Sequence, residues 1–274
     1  MIDLELIKRA IAEDLAGGED ITSIATVAGS SQIVADFVAR KSGVIAGIEM
    51  AQGVLEEVGL RDIALFVHDG ESVSAGKVLL TVRGDTRAIL LAERTALNFL
   101  GHLSGIATLT RAWVDAIDGT SCKVRDTRKT TPGMRLLEKA AVVAGGGTNH
   151  RLSLSDAALI KDNHIAAAGS ITAAFMKVRE KYPTSEIEIE VDTLAQLQEI
   201  LPLKPDLILL DNMSIEECKQ AVSITKGAAM LEASGGLSIE NARAYAATGV
   251  DYLAVGALTH SAPNFDVGLD FREV

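Results

Sequence analysis

The stretch IEIEVDTLAQLQEILPLKPDLILLD, residues 187–211, places a strand, a helix and a second strand in succession. Ile187 to Val191 and Leu207 to Leu210 have the length of short buried strands, and Leu194 to Leu201 has the apolar spacing of a helix. Such a unit joins two parallel strands through a helix that packs on their sheet. The stretch therefore predicts an α/β fold.

Similar units continue on both sides of this stretch and bring the predicted strands to six. The other strands are predicted at Lys123 to Asp126, Ala157 to Ile160, Met230 to Ala233 and Tyr252 to Val255, and the other helices at Ile171 to Lys181, Ile215 to Thr225 and Ile239 to Ala247. This alternation indicates a parallel sheet, either closed into a barrel or wound as a layer. In both arrangements the carboxyl ends of the strands meet at one edge, where α/β proteins keep their chemistry.

The first hundred residues indicate a smaller α+β part. Ile2 to Leu15 has helical spacing, and Ile33 to Val38 alternates as a strand does. Residues 85–117 then carry an apolar helical stripe that is interrupted by Gly101 and Gly105. Consecutive helices that bridge two domains are predicted there.

A chain of 274 residues suits two domains, or one large α/β barrel with an appendage. We predict an N-terminal domain over residues 1–105 and a barrel domain over residues 106–265, with the tail 266–274 packing on the first domain. The N-terminus does not resemble a signal peptide, and no apolar run is long enough to span a membrane. These features predict a cytoplasmic protein.

The charge of the chain is unevenly distributed. Acidic residues outnumber basic ones by 37 to 26, and the net charge of −11 opposes general binding to nucleic acid or to an anionic membrane. The segment from Lys123 to His164 reverses this balance, with eight Lys or Arg against four Asp or Glu. An acidic protein that concentrates its cations in one segment is expected to hold a small polyanion there.

Four cations, Arg128, Lys129, Arg151 and Lys161, follow separate predicted strands or lie in the loops between them. A solvated basic surface is one explanation of these residues, and a multiply charged anion held by guanidinium and ammonium groups is the other. We favour the anion, because four cations gathered in one cleft repel each other without it. His150 lies beside Arg151, where its ring could hydrogen-bond a carboxylate of such a ligand.

The other strand ends carry acids and glycines. Glu190 and Asp211 suit Mg²⁺, which prefers one or two carboxylates with water and phosphate oxygens, although capping of the next helix explains either residue equally well. The turns Ser234 to Gly236 and Val255 to Ala257 follow two further strands. Backbone N–H groups in such turns hold a terminal phosphate, and a plain tight turn is the alternative.

Six longer motifs run through the chain between residues 92 and 263. They are AERTALNFLGHLSGIAT at 92–108, DTRKTTPGMRLLEKAAVVAGGGTNHRL at 126–152, LIKDNHI at 159–165, LLDNMS at 209–214, LEASGG at 231–236 and VGALTHSAP at 255–263. Together they resemble the quinolinate phosphoribosyltransferases, the decarboxylating nicotinate-nucleotide pyrophosphorylases. The resemblance implies an N-terminal α/β sandwich followed by an open, seven-stranded α/β barrel similar to a TIM barrel. It also implies a homodimer, or a hexamer of dimers, with active sites shared between chains.

The resemblance further implies roles for individual residues. Arg94, otherwise explained as a helix-surface partner of Glu93, would reach across the dimer to quinolinate. In the site itself, the two carboxylates of quinolinate would be surrounded by Arg128, His150, Arg151 and Lys161. Lys129, beside Thr127, would contact quinolinate or phosphoribosyl diphosphate, and Glu190 and Asp211 would hold the ribose hydroxyls and Mg²⁺. The 5-phosphate would be bound by Ser234, Gly235, Gly236, Val255, Gly256 and Ala257. The catalytic residues would be Lys129, Lys161, Glu190 and Asp211.

The implied activity is the transfer of phosphoribosyl to quinolinate with loss of CO₂, a step of NAD biosynthesis. A related pyrophosphorylase associated with molybdenum transport is the nearest alternative, and the lysine of LIKDNHI, Lys161, favours the quinolinate enzyme. A Schiff-base aldolase that uses Lys161 and a non-catalytic, phosphate-binding regulatory protein are alternatives from other classes. One departure from expectation is Arg125, since an apolar residue is expected inside the first strand.

Overall fold

The structure is a computed structural model that describes residues 2–272. Its strands are β1 (Gln32–Ala39), β2 (Gly43–Val44), β3 (Asp62–Leu65), β4 (Ser72–Val73), β5 (Val78–Asp85), β6 (Lys123–Arg125), β7 (Ala158–Ile160), β8 (Ile187–Val191), β9 (Leu207–Asp211), β10 (Met230–Ser234), β11 (Tyr252–Ala254) and β12 (Val267–Phe271). Its helices are α1 (Leu4–Leu15), α2 (Ile21–Thr26), α3 (Ile48–Glu57), α4 (Thr86–Ala116), α5 (Arg135–Ala144), α6 (Asp162–Ala168), α7 (Ile171–Lys181), α8 (Leu194–Ile200), α9 (Ile215–Thr225), α10 (Ile239–Ala246) and α11 (Ala257–His260), with a 3₁₀ turn at Leu201–Leu203. Over the described range, every helix is too short or too polar to cross a membrane.

The strands β12, β1, β5 and β3 form an antiparallel sheet in that order. Phe37 of β1 lies opposite Leu80 of β5, and both side chains are fully buried. The predicted opening helix and first strand are confirmed as α1 and β1. The C-terminal tail contributes β12 to this sheet, and its last two residues, 273 and 274, lie outside the described residues.

Helix α4 is one continuous helix, so the prediction of consecutive helices between residues 85 and 117 is wrong. A Cβ atom on Gly101 would lie 3.1 Å from the carbonyl oxygen of Phe265, and one on Gly105 only 2.2 Å from that of Pro263. The two glycines therefore allow another segment of the chain to approach the helix closely. Each costs the helix about 1 kcal/mol relative to alanine, which its buried apolar stripe outweighs.

The strands β6, β11, β10, β9, β8 and β7 form a parallel sheet in that order. They are the six strands predicted from the sequence, so the α/β class is confirmed, whereas α5 and α6 were not predicted. The seventh strand that the family resemblance implies is reduced, among the described residues, to a single parallel bridge between Arg125 and Thr148. The glycines at 145–147 that precede this bridge have no side chains to pack, and Gly146 has a φ of +92°, so a longer ladder does not form there.

The chain forms two compact units that alternate along the sequence. One contains the chain up to Arg111, Leu136–Gly146 and the chain from Ser261 onward, and the other contains Ala112–Arg135 and Gly147–His260. The predicted domain boundary at residue 105 stays a prediction. All strands of the parallel sheet belong to the second unit.

Candidate active site

Inward-facing side chains form two layers near the carboxyl ends of β7 to β10, because residues two apart on a strand point to the same face. The upper layer, at the strand ends, consists of Lys161, Glu190, Asp211 and Ser234. The lower layer, two residues earlier on each strand, consists of Leu159, Glu188, Leu209 and Glu232. The parallel register places Asp211 opposite Ser234, Leu209 opposite Glu232 and Leu159 opposite Glu188. Between β8 and β9 the two layers are offset by two residues, so Glu190 lies opposite Leu209.

A pocket of about 530 Å³ opens over these layers within the second unit. Its lining includes nine of the predicted site residues, Thr127, Arg128, Lys129, His150, Arg151, Lys161, Asp211, Ser234 and Gly235. Leu159, Leu209, Asn212, Glu232 and Ala254 complete the lining. The fold thus gathers cations from three loops in one cavity of a size that suits a small organic ligand.

Two guanidinium groups in this pocket have unpaired donors. The Nε atoms of Arg128 and Arg151 are buried and have no hydrogen-bond partner among residues 2–272. Arg151 is held by its Nη1, which donates to the carbonyl oxygen of Ala157 at 2.9 Å. Burial, with repulsion from Arg128, lowers the pKa of Arg151. Neighbouring cations with unused donors fit an anion that has more than one acceptor group.

Carboxylates gather on one side of the upper layer. Glu190, Asp192 and Asp211 each offer an oxygen, and these oxygens lie within 4.8 Å of one another. The Nζ of Lys161 forms an ion pair with Glu190. Burial, and then the charge of Glu190, raises the pKa of Asp211. Crowded carboxylates of this kind fit a divalent cation that prefers oxygen ligands.

Hydrogen bonds of the Lys129 backbone hold the loop that carries this residue. The N–H of Lys129 donates to Thr127 Oγ1 at 3.0 Å, and its carbonyl oxygen accepts from Thr259 Oγ1 at 2.8 Å. A Cβ atom on Gly256 would lie 3.0 Å from Cδ of Lys129. Glycine at 256 therefore lets the turn after β11 approach the lysine side chain closely.

The turn after β10 also requires glycine. Gly235 and Gly236 have φ angles of +85° and +60°, and a Cβ atom on Gly235 would lie 2.2 Å from Oδ1 of Asn212. Asn212, which lines the pocket, itself has a φ of +52° and follows β9 directly. Two adjacent turns at the strand ends are thus packed against each other, and Asn212 and Gly235 of these turns line the cavity.

The lower layer contains two buried acids that sequence reasoning missed, Glu188 and Glu232. Glu188 Oε2 lies 2.6 Å from Nε2 of His150, and Glu232 Oε2 accepts from Nη1 of Arg125 at 3.1 Å. Burial raises the pKa of each carboxyl to about 7, and the charge of Glu188 adds to the effect on Glu232. Arg125 also lies over the ring of Tyr252 at 4.3 Å, so this unusual strand residue points into the lower layer.

A sequence signal for these acids exists. Each lies two residues before a predicted site residue on the same strand, Glu188 before Glu190 and Glu232 before Ser234, so strand alternation alone places them beneath the site.

Some predicted residues lie outside the pocket lining. Arg94 is exposed on α4 in the first unit, and among residues 2–272 it forms no hydrogen bond or ion pair, so the surface pair with Glu93 is not found. Glu190 is buried and contacts the site through Lys161. Gly236, Val255, Gly256 and Ala257 follow lining residues along the chain without lining the cavity themselves.

Two domain models of one protein family together match most of this chain. The profiles described as quinolinate phosphoribosyl transferase, N-terminal domain and C-terminal domain, match residues 20–104 and 106–270. A nicotinate-nucleotide pyrophosphorylase (carboxylating) from Mycobacterium leprae is 52% identical over 273 residues, which are 97% of this chain and 96% of that protein.

Solved structures agree with this similarity. The crystal structure of nicotinate-nucleotide pyrophosphorylase from Ehrlichia chaffeensis superposes with a TM-score of 0.94 at 41% identity, over 98% of both chains. The corresponding structure from Francisella tularensis has a TM-score of 0.94 at 38% identity, over 98% of this chain and 95% of that chain. The chain therefore belongs to the quinolinate phosphoribosyltransferase family.

Proposed function

We propose that this chain is a decarboxylating quinolinate phosphoribosyltransferase of NAD biosynthesis. It converts quinolinate and phosphoribosyl diphosphate to nicotinate mononucleotide, diphosphate and CO₂. The observation that carries the proposal is the pair of buried, unpaired Nε donors of Arg128 and Arg151 in a pocket that also contains Lys129 and Lys161. The names of the relatives support the same reaction.

Quinolinate carries carboxylates at two adjacent ring positions, and three cations of the pocket match them. Arg128, Arg151 and Lys161 bind these carboxylates, with His150 in the same wall of the pocket. Each charge-assisted hydrogen bond contributes about 1.5–3 kcal/mol, so a few of them suffice to select a dianion. Binding of the ligand also relieves the repulsion between the two guanidinium groups.

The phosphorylated sugar lies over the strand ends. The turns Ser234 to Gly236 and Val255 to Ala257 bind the 5-phosphate through backbone N–H groups, and Lys129 contacts the diphosphate. The positive φ angles at Gly235 and Gly236 support this assignment, because successive N–H groups in such turns form anion-binding concavities.

Mg²⁺ fits the carboxylates of the upper layer. Glu190 and Asp211, with Asp192 beside them, would hold it, since their crowded charge is what a divalent cation relieves. When bound, Mg²⁺ neutralises charge that develops on the leaving diphosphate.

The residues of the chain then orient and stabilise the reacting groups. As the bond from C1 of the ribose to diphosphate breaks, Glu190 and Asp211 hold the ribose and offset the positive charge at C1. The pyridine nitrogen, oriented by the cations around the carboxylates, forms the new bond to C1. Its positive charge then stabilises the electron pair left on the neighbouring ring carbon when CO₂ departs, and that carbon takes up a proton. Exclusion of water by the bound substrates favours this last step.

The decisive experiment supplies quinolinate, phosphoribosyl diphosphate and Mg²⁺ and follows the formation of nicotinate mononucleotide. Nicotinate in place of quinolinate should give no turnover, because it lacks the carboxylate that the second guanidinium binds. Equal rates with both acids would refute the substrate assignment.

The alternatives are less well supported by the site. An aldolase would need an uncharged lysine amine, whereas Lys161 is ion-paired with Glu190, so borohydride with a carbonyl substrate should trap no adduct. A regulatory phosphate-binding protein has no need of three carboxylates beside the phosphate turns. The molybdenum-associated relative remains the nearest alternative, and the quinolinate assay separates the two.

We also propose a homodimer, or a hexamer of dimers, in which Arg94 serves the site of the neighbouring chain. Its exposure without a polar partner among the described residues supports this role. Mixing inactive Arg94→Ala chains with inactive Lys161→Ala chains should restore part of the activity, and no recovery would contradict shared sites. The cytoplasmic location and the absence of nucleic-acid and membrane partners stay predictions from the sequence.

A further inference from the structure

The two acids of the lower layer have no task in the reaction described above. Glu188 and Glu232 are 4% and 0% exposed, and each has one carboxylate oxygen without a hydrogen-bond partner among residues 2–272. Burying two like-charged groups beneath a pocket for anions is unfavourable by itself. Their contacts with His150 and Arg125 indicate what they do there.

The hydrogen bonds of His150 determine which ring nitrogen carries a proton. Its Nδ1 accepts from the backbone N–H of Arg151 at 2.7 Å, so Nδ1 has no proton. The proton of the neutral ring is then on Nε2, which lies 2.6 Å from Oε2 of Glu188 and donates to it. Both nitrogens of the ring are therefore occupied by the protein.

Glu232 and Arg125 lie behind this pair. Glu232 Oε1 is 3.6 Å from Nε2 of His150, and its other oxygen accepts from Arg125. The Arg125 guanidinium, stacked on Tyr252, supplies a positive charge next to the two acids.

The ring in turn positions a substrate-binding residue. Arg151 is fixed at its backbone by Nδ1 of His150 and at its guanidinium by the carbonyl oxygen of Ala157. Between these two attachments, its Nε is the donor that remains unpaired in the pocket.

We propose that Glu188 is a positioning residue, which sets the Nε2-protonated form of His150 and thereby holds Arg151 in place to bind the dicarboxylate. This inference rests on the proposed function. It predicts that Glu188 affects the KM for quinolinate and leaves the KM for phosphoribosyl diphosphate unchanged, because the 5-phosphate turns lie on other strands.

Two substitutions of Glu188 separate the hydrogen bond from the charge. Glu188→Gln keeps an oxygen acceptor for Nε2, so its KM for quinolinate should stay within about threefold of the wild type, whereas Glu188→Met removes the acceptor and should raise that KM at least about tenfold. Glu186→Met is the matched control, because Glu186 is exposed two residues earlier and should leave both KM values unchanged. An unchanged KM for quinolinate in Glu188→Met, or equal rises in both KM values, would overturn the proposal.

Nitrogen-15 NMR of the imidazole rings provides a second readout that does not depend on turnover. The chain has five histidines, and a His150→Gln spectrum identifies the His150 signals by their loss. We expect a protonated Nε2 and an unprotonated Nδ1 in the wild type and in Glu188→Gln, and a changed pattern in Glu188→Met. If Glu188→Met does not fold, a protonated Nδ1 in the wild type still contradicts the inference. If the wild-type protein did not turn over quinolinate, the proposed function would be refuted. If the wild type turned over quinolinate normally and Glu188→Met had an unchanged KM for quinolinate, only this inference would be refuted.

Discussion

The upper and lower layers lie on the same strands, two residues apart, yet their side chains have different kinds of partner. In the upper layer, Lys161 has a side chain that is 47% exposed, and it faces the cavity beside Asp211. In the lower layer, Glu188 and Glu232 are almost fully buried and contact His150 and Arg125. Glu188 and Glu190 are thus the same residue type on the same face of one strand but differ in function. Glu188 contacts the ring of His150, whereas Glu190 contacts Lys161 of the cavity.

This difference teaches how the pocket stays organised without its ligands. Each acid of the lower layer has one carboxylate oxygen held by a side chain of the protein, Glu188 by His150 and Glu232 by Arg125, so these residues contribute to a fixed floor. Two cations above that floor keep unpaired donors, so their compensation comes from a ligand. Substitutions in the lower layer should therefore change stability first, and substitutions around the cavity should change activity first.

The largest effect is expected for Arg125→Leu in the lower layer. It leaves the buried carboxylate of Glu232 without its cation, and loss of one partner of a buried pair should lower the free energy of unfolding by about 3 kcal/mol. Urea denaturation measures this change. The double variant Arg125→Leu/Glu232→Leu is the control and should recover part of the loss; a fully stable Arg125→Leu would contradict the buried-pair description.

Arg128→Ala tests the residues around the cavity. Removal of one preorganised charge should lower kcat/KM at least ~10²-fold. The free energy of unfolding should change little, because the substitution also removes the repulsion between Arg128 and Arg151. Lys161→Ala should lose activity to a similar extent. Lys219→Ala, which removes an exposed cation of α9, is the matched control and should retain full activity. If Arg128→Ala lowered the free energy of unfolding but kept its activity, the assignment of activity to the cavity residues and of stability to the lower layer would be wrong.

A smaller effect is expected at the turn after β10, where two adjacent glycines differ in their surroundings. Gly235→Ala brings a Cβ atom against Asn212, whereas nothing lies within 4 Å of a Cβ atom on Gly236. Both substitutions carry the cost of a positive φ, about 1–2 kcal/mol of the free energy of unfolding. Gly235→Ala must also shift the turn away from Asn212, so it should raise the KM for phosphoribosyl diphosphate more than Gly236→Ala does; the reverse order would show that the contact with Asn212 is unimportant.

The most gradual effect concerns the pH dependence of stability in the lower layer, because it is spread between pH 4.5 and about pH 7. Burial raises the pKa of Glu232 from 4.5 to about 7, so between these values the folded protein keeps a proton that the unfolded chain loses. Its contribution to stability is complete below pH 4.5 and is lost as the pH rises toward 7. In Glu232→Gln the fall of the free energy of unfolding between pH 5 and pH 7 should be shallower, by at most about 1.4 kcal/mol per pH unit. If the free energy of unfolding, measured by urea denaturation, fell equally steeply with pH in the wild type and in Glu232→Gln, the Glu232 carboxyl would not be the source of this pH dependence.

Much of the parallel sheet could be predicted from local pattern. The strands and helices between residues 187 and 225 repeat with short connections, and each apolar run is long enough to specify one element. Helix α4 shows the limit of this approach. From the sequence, Gly101 and Gly105 predict a break in the helix, but in the fold they make room for the carbonyl oxygens of Phe265 and Pro263. A glycine has the same local properties in both roles, and only distant residues decide between them.

The sequence by itself determined the α/β class, the six parallel strands, and the cations and acids at their ends, because apolar spacing and charge are local properties. Tertiary structure alone decided that Arg125 points inward onto Glu232 and that Glu188 meets the ring of His150. It also decided which donors of Arg128 and Arg151 stay unpaired. These contacts join residues up to 107 positions apart along the chain, and their energies depend on burial and on distances that no local pattern specifies.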